Sequence, residues 1–394
     1  MSGTPKMKDA FSLVRGGPMY RLLVRAGLVL PGTLGIARRA IFFALVAWLP
    51  LLLLSAAEGL AVGNAVTIPF LHDPLAYARF LIAVPLLIIA ERLIEPKIAV
   101  TAHTFADSGL LDEMDQGSYR SAITEAERWR DSAWGEVLVL GLAYLGTLVW
   151  LAGETTVQVS TWSVHVSASG ERPTAAGWWY YFVSIPIQQF LIYRWLWRIV
   201  IWSRFLWRMS RLDLCLMPTH PDRAAGLGFL AIGHRSFGSI AFPVGVIWSA
   251  AVHRAFLYHA ASLETIRAPS AVLAVLNAIV FLGPLLIFMP KLRAARVRGV
   301  LEYGRLALQY TQSFDRKWVR GGAPEGEELL GSGDIQSLAD MGGSFERIEN
   351  TRIVPFSVKT LLDLTISVLA PMLPLLLLVM SWKEILEKLL GMLH

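Results

Sequence analysis

The sequence is short of charge and almost without cysteine. Charged residues make up 17% of its 394 positions, whereas an average soluble domain has about 25%. The single cysteine, Cys215, cannot form an intrachain disulfide bond. These shortages exclude a soluble enzyme, a secreted disulfide-bonded scaffold and a nucleic-acid-binding module. The HExxH, GK[ST] and GxSxG signatures are also missing, so catalysis is the less favoured kind of function.

Long apolar runs are what the sequence has instead. Hydrophobic residues make up 55% of the chain, and the mean hydropathy is +0.51. A helix needs about 20 apolar residues to cross about 30 Å of hydrocarbon. The sequence therefore predicts an all-α, polytopic membrane protein with seven transmembrane helices. The predicted spans are Ala40–Ala57, Pro74–Glu95, Trp134–Ala152, Trp178–Arg211, Arg235–Leu257, Ser270–Met289 and Val358–Ser381.

The basic residues between these spans predict the orientation. Counted together with the charged ends of the neighbouring spans, the stretches 1–39, 91–133, 203–226 and 291–356 hold 26 lysines and arginines, and the stretches 58–73, 153–177, 254–267 and 382–394 hold 5. Because basic residues collect on the cytoplasmic side, the N-terminus is expected inside and the C-terminus outside. We expect a multi-pass protein of the bacterial inner membrane, surrounded by the lipid bilayer.

The polar segments divide the chain into four parts. Residues 1–39 are predicted to be a cytoplasmic segment that contains an amphipathic surface helix at Tyr20–Leu30. Residues 40–290 hold the first six spans with their cytoplasmic extensions. A cytoplasmic helical stalk follows at 291–356, and the last span with a short outer tail occupies 357–394.

Two predicted spans, the fourth and the sixth, continue as helices beyond the bilayer. Trp178–Arg211 has 34 residues, which corresponds to about 51 Å of helix. The sixth continues through Lys291–Trp318 without a proline. Apolar faces on helices in water must be covered. The two helical extensions form either a stalk within one subunit or an assembly domain that joins several subunits. The sequence leaves both alternatives open.

The last predicted span carries polar residues on one face. Lys359, Asp363 and Ser367 follow at four-residue steps, which places them on one side of a helix. Lys359 and Asp363 could simply pair with each other. The functional interpretation is a water-filled path with a hydrophobic constriction at Leu373–Leu378. The predicted pore-lining residues are Lys359, Asp363, Thr365, Ser367, Pro371 and Pro374.

Charged residues also fall within the second and fourth predicted spans, and four of them need an explanation. Arg79 and Glu91 lie near opposite ends of the second span, and Arg194 and Arg198 lie in the fourth. Long side chains near the ends of a span can reach the headgroups, so snorkelling accounts for these four charges.

An alternative site is conceivable at the cytoplasmic interface. His220, Asp222 and Arg223 follow the fourth span, and His103 and Asp107 follow the second. Imidazole and carboxylate groups could bind a metal or a substrate, as in a secondary transporter or a membrane-embedded enzyme. Because His-Pro-Asp-Arg is also a good turn with a helix start, the structural interpretation is favoured, and no metal or cofactor is expected.

Four stretches resemble a family of uncharacterised bacterial membrane proteins: Pro69–Leu93, His220–Leu230, Leu329–Asp340 and Arg352–Ser357. In architecture alone, the layout is similar to the seven-transmembrane ion channel superfamily that includes the insect chemoreceptors. That resemblance implies a homotetramer whose seventh helices line a central pore. It favours an oligomeric ion channel as the function, with a secondary transporter or membrane-embedded enzyme as the alternative.

Overall fold

The computed structural model describes residues 11–29, 35–154, 160–167, 170–258 and 262–375, and these residues are overwhelmingly helical. The helices of the first half are α1 (Gly17–Arg25), α2 (Ile36–Ala57), α3 (Pro74–Tyr77), α4 (Val84–Asp107), α5 (Gln116–Arg130), α6 (Ala133–Glu154), α7 (Ala175–Trp179) and α8 (Ile185–Arg211). Those of the second half are α9 (Phe229–Arg235), α10 (Gly238–Tyr258), α11 (Leu263–Leu282), α12 (Met289–Phe314), α13 (Gly333–Glu349) and α14 (Val358–Leu369). One antiparallel hairpin, β1 (Val164–Ser167) and β2 (Gly170–Pro173), precedes α7.

Several of these helices are long and apolar enough to cross a membrane, which indicates a membrane-embedded protein. The described residues contain five such stretches, or six if the bent pair Glu113–Arg130 and Ala133–Val149 counts as one span. Helix α8 is not among them, because its arginines, glutamines and tryptophans lower its hydropathy. The five stretches are Ile36–Ala57, Pro74–Asp107, Phe229–Tyr258, Glu264–Val319 and Val358–Leu375.

Local signals at the helix starts agree with the observed bounds. The Asp73 carboxylate accepts a hydrogen bond from the Leu75 amide at 3.0 Å and caps α3. Ser262 and Thr265 form a reciprocal capping box at the start of α11. Ser357 accepts the Thr360 amide and begins α14. The amphipathic helix predicted at Tyr20–Leu30 is present as α1 at Gly17–Arg25, and Leu30 lies outside the described residues.

Two prolines are accommodated by widening the helix just before them. A π-helical stretch at Ala78–Ala83 leads into α4, whose second residue is Pro85. A second π-helical stretch, Tyr180–Ser184, leads into α8, whose second residue is Pro186. Proline has no N–H to donate, so the usual i to i−4 bond is lost, and a π-turn re-routes the neighbouring bonds. Each of these prolines is therefore preceded by a π-helical stretch.

Helix α4 lies at the centre of the bundle, where it packs on α2, α8, α9 and α10. Helix α6 packs closely along α8, because two of its glycines receive side chains of α8. Gly135 lies under the Trp197 ring, and Gly146 lies against Gln189. Helix α14 packs between α10 and α11, and α13 packs on α12. The end of the bundle at which α2 begins is here named the proximal end, and the opposite end is named the distal end.

Candidate functional site

The polar side of α14 is turned towards other helices of the same chain. Asp363 receives a hydrogen bond from the Arg235 Nε at 2.7 Å, at the α9–α10 junction. The Ser367 hydroxyl donates to the Asp363 carbonyl and lies against Gly238. The Pro371 carbonyl accepts a hydrogen bond from Ser249 of α10 at 2.7 Å. Asp363 thus pairs with Arg235 across helices, whereas the sequence had offered Lys359 as its partner.

The neighbouring side of α14 is apolar and largely exposed among the described residues. We name as the α14 row the exposed side chains Val358, Leu362, Ile366 and Leu373. Lys359 is exposed at its start, and Pro374 is exposed at its far end. Thr365 is half-buried at the edge of the row. Of the predicted constriction, Leu376–Leu378 lie outside the described residues.

The loop that contains His220, Asp222 and Arg223 is a tight, hydrogen-bonded turn. The Asp222 carboxylate accepts the backbone N–H groups of Ala224, Gly226 and Gly228 at 2.8, 3.2 and 2.7 Å. His220 Nδ1 lies 2.9 Å from Asp222 Oδ1. Burial opposes ionisation of Asp222, but the three backbone donors outweigh it and hold the pKa of this carboxyl below its usual value. The carboxylate therefore organises the turn.

The same turn is tied to the segment before α14. Arg352 donates to the Asp222 carbonyl at 2.7 Å through its guanidinium and to the Arg223 carbonyl at 2.8 Å through its amide. The Thr351 hydroxyl donates to the Pro218 carbonyl at 3.1 Å. Two of the stretches that carry the family resemblance, His220–Leu230 and Arg352–Ser357, are therefore in contact. Together they fix the entry of α14 into the bundle.

We expect Asp222→Asn to destabilise the protein by about 1–3 kcal/mol, because an amide NH₂ would face a buried N–H donor. A carboxyl with a depressed pKa contributes stability above its unfolded pKa of about 3.9 and loses it as the pH falls through the folded pKa. The difference between the wild type and the variant is therefore expected at neutral pH and should vanish in acid. Thermal unfolding midpoints in detergent at several pH values measure it.

The neighbouring Asp213 is exposed and provides the matched control. Asp213→Asn is expected to leave the midpoint unchanged at every pH. If Asp222→Asn unfolded at the same midpoint as the wild type at neutral pH, this result would show that the negative charge of Asp222 does not stabilise the turn.

The other two residues of the alternative site lie on α4. His103 is half-buried and Asp107 is exposed, one helical turn apart. The part of the chain that the structure describes has no group of three or more His, Cys, Asp or Glu residues that could hold a metal ion. Of the five alternative residues, only those of the loop, which are adjacent in sequence, are brought into contact with one another.

A buried ionic cluster at the proximal end is the most polar feature of the interior. Glu91 of α4 accepts hydrogen bonds from Arg39 of α2 at 2.6 Å and from Arg198 of α8 at 2.9 Å. The exposed fractions of these three residues are 2%, 1% and 4%. Snorkelling is therefore the wrong interpretation for Glu91 and Arg198. Removing one partner from such a buried pair costs about 3–5 kcal/mol.

Two further acidic residues extend this cluster. Arg194, which is also buried, lies 3.7 Å from Glu136 of α6, so snorkelling is wrong for this residue as well. Glu95, one turn below Glu91 on α4, is buried, and its Oε2 has no hydrogen-bond partner among the described residues. We name Arg39, Glu91, Arg194, Arg198, Glu136 and Glu95 the proximal cluster.

The N-terminal segment covers the proximal cluster. The amides of Gly17 and Met19, at the start of α1, donate to Asp131 at 2.8 Å and to Glu136 at 2.6 Å. Carboxylates at a helix N-terminus satisfy its free N–H groups and its dipole. Phe11 stacks on Trp202 and Phe205. A cavity of about 20 Å³, large enough for a water molecule, remains beside Glu136, Arg194 and Arg198.

At the distal end a second polar cluster surrounds Asp73. Its Oδ2 accepts a hydrogen bond from the Trp162 indole at 2.9 Å and lies 3.7 Å from Arg254. The guanidinium of Arg79 donates to the Tyr180 hydroxyl. Arg79 is 5% exposed, so snorkelling is wrong for this residue too.

One buried histidine links three helices. His234 is fully buried, and its Nε2 accepts a hydrogen bond from the Trp202 indole at 2.9 Å. Its Nδ1 lies 2.6 Å from the Phe281 carbonyl, so the ring is neutral with the proton on Nδ1. His234 of α9 therefore joins this helix to α8 and α11.

No family model matches the chain, and neither a curated protein nor a solved structure matches it.

Proposed function

We propose that the protein is an oligomeric channel of a bacterial inner membrane that conducts ions along the α14 row. One observation supports this proposal: α14 combines an outward apolar row with a charged entrance, formed by Lys359 and the Asp363–Arg235 pair. A hydrophobic constriction behind a ring of charges is how many pores gate and select.

The proposal gives the predicted pore residues different tasks. Lys359 and Asp363 would form the mouth, and Thr365 and Pro374 would border the constriction. Ser367 and Pro371 would support the helix from behind, because they contact α10. The path would run between copies of the chain, since the α14 row faces away from the chain's other helices.

The proposed arrangement has seven spans, with the N-terminus inside and the C-terminus outside. Helix α8 would be the remaining span, although its hydropathy is low. Its buried arginines and tryptophans face protein instead of lipid, where charge is tolerated. The basic proximal end and the α12–α13 pair would then lie in the cytoplasm.

Reconstitution into liposomes tests the proposal. We expect ion currents from the purified protein and a particle mass of several subunits, with a tetramer as the starting hypothesis. Asp363→Asn should shift the reversal potential under a salt gradient towards anion preference, because it leaves positive charge at the mouth. Arg235→Gln should shift it in the opposite direction.

These paired variants separate a pore mouth from a structural ion pair. A purely structural pair would lower the stability in both variants and leave the selectivity unchanged or change it in the same direction. A particle that contains a single chain, or liposomes without current at all voltages and tensions, would overturn the proposal.

The proximal cluster favours a second candidate, a secondary transporter. It places Glu136 beside Arg194, Arg198 and a cavity of about 20 Å³, and Glu95 is buried nearby with one carboxylate oxygen that has no hydrogen-bond partner among the described residues. Buried carboxylates of this kind can exchange a proton or a small ion. This candidate predicts saturable flux driven by a pH gradient from a single subunit. Glu95→Gln should abolish that flux, and the channel proposal predicts no such effect.

A further inference from the structure

The exposed surface of α12 has an apolar row that the described chain leaves uncovered. Val297, Leu301 and Leu308 are between 53% and 59% exposed and lie within 40° of one another around the helix. We name them the α12 row. The basic residues Lys291, Arg293, Arg296 and Arg298 come directly before it or beside it. Basic residues of this kind stay at the level of the lipid headgroups. The α12 row, which follows them along the helix, therefore extends into water, where an apolar stripe must be covered by a partner.

Helix α13 offers the complementary surface within the same pair of helices. Its side away from α12 carries Ala339, Gly343 and Glu346, which we name the α13 face. A side chain added at Gly343 would meet only open space. Small residues let a neighbouring helix approach closely, so large apolar side chains such as those of the α12 row can pack there.

The two surfaces also have opposite charge. The exposed charged residues along the α12 row are Arg293, Arg298, Glu302 and Arg305, three basic and one acidic. Those along the α13 face are Asp340, Glu346, Arg347 and Glu349, three acidic and one basic. Electrostatic complementarity of this kind favours α12 against α13 and disfavours either surface against itself.

The α12 row and the α13 face lie at the same level along the pair of helices. Gly299 packs on Ile348, Gly304 lies against Phe345, and the Tyr310 hydroxyl donates to the Asp334 carbonyl at 2.9 Å. Helices α12 and α13 therefore run antiparallel, with Leu301 level with Glu346 and Leu308 level with Ala339. Copies in one membrane share orientation and depth, so a rotation about the membrane normal preserves these levels.

From these contacts we infer that the α12 row of one copy packs on the α13 face of the neighbouring copy. The occupant of each surface is thus a second copy of this chain, and the contact is head-to-tail, which closes into a ring. The inference rests on the oligomer of the proposed function and names the residues that would hold it together.

Disulfide trapping between two differently tagged chains tests this contact. One chain carries Leu308→Cys and the other Ala339→Cys, both in a Cys215→Ser background because Cys215 is exposed. After mild oxidation of membranes from co-expressing cells, we expect a covalent dimer that carries both tags. Disulfides form only when the two Cα atoms come within about 7 Å. Both substituted positions are exposed, so each chain should fold.

The matched control replaces Leu308→Cys by Leu306→Cys. Leu306 is 48% exposed, compared with 59% for Leu308, but it points about 160° away around the helix. This control should give no dimer with both tags. A Leu308→Cys chain that couples only to itself would indicate a two-fold contact, and the absence of any mixed dimer would also overturn the inference.

The outcomes of the two experiments are distinguishable. A mixed dimer without ion current would retain this interface and overturn the proposed function. Current without a mixed dimer would retain the channel and overturn this interface.

Discussion

Replacing Glu91 with leucine is expected to destabilise the protein by about 3–5 kcal/mol, one of the largest effects of any single substitution in this chain. The substitution would leave the guanidinium groups of Arg39 and Arg198 buried without their shared carboxylate. An uncompensated buried charge costs far more than the lost ion pair contributes. The midpoint of thermal unfolding in detergent, followed by size-exclusion chromatography, measures the effect.

Two further variants separate charge from packing. Glu328→Gln removes an exposed carboxylate of the loop before α13 and should leave the midpoint unchanged. The triple variant Arg39→Met, Glu91→Leu, Arg198→Met removes all three charges and should recover most of the lost stability, since apolar side chains of similar volume can replace a buried ionic triad. A Glu91→Leu variant as stable as the wild type would show that Glu91 does not balance the two arginines.

The helices themselves could be predicted well from the sequence. Apolar length and periodicity predicted Pro74–Glu95 and Trp134–Ala152. The second prediction agrees with the bounds of α6 to within two residues, whereas the first has the correct start at Pro74 but ends about three turns before α4 does at Asp107. The helix predicted to continue through Lys291–Trp318 is observed as α12 and the π-helical stretch Asp315–Val319 that follows it. These features depend on local composition, so a single sequence contains them.

The partners of the buried charges could not be predicted in the same way. Arg39 and Glu91 are 52 residues apart, and Glu91 and Arg198 are 107 apart. Nothing local distinguishes an arginine that snorkels from one that meets a carboxylate on another helix. The sequence did contain one usable signal: charges within spans are costly enough to require partners.

The candidate site shows the same division between local and long-range information. The turn at His220–Gly228 was favoured from its residue types, and the Asp222 hydrogen bonds confirm it. The polar stripe of α14 was correctly placed on one helix face, but periodicity does not say what that face meets. Its partner, Arg235, is 128 residues away from Asp363.

Replacing Ile366 with asparagine is expected to increase ion conductance about tenfold or more. Ile366 lies in the middle of the α14 row, and in the proposed channel it faces the axis of the pore. A dry hydrophobic constriction blocks ions, and an amide there would hold water. Each 1.4 kcal/mol removed from a barrier multiplies a rate by about ten. Single-channel recording and liposome flux measure the change.

Ile279 of α11 is the matched control, because it is also isoleucine and, like Ile366, is 60% exposed. In the proposed channel Ile279 faces lipid, so Ile279→Asn should lower the amount of inserted protein and leave the conductance per particle unchanged. If Ile366 also faced lipid, the two variants would behave alike, with poorer insertion and no added current. A difference between two chemically identical substitutions at equal exposure therefore distinguishes a water-facing helix from a lipid-facing one.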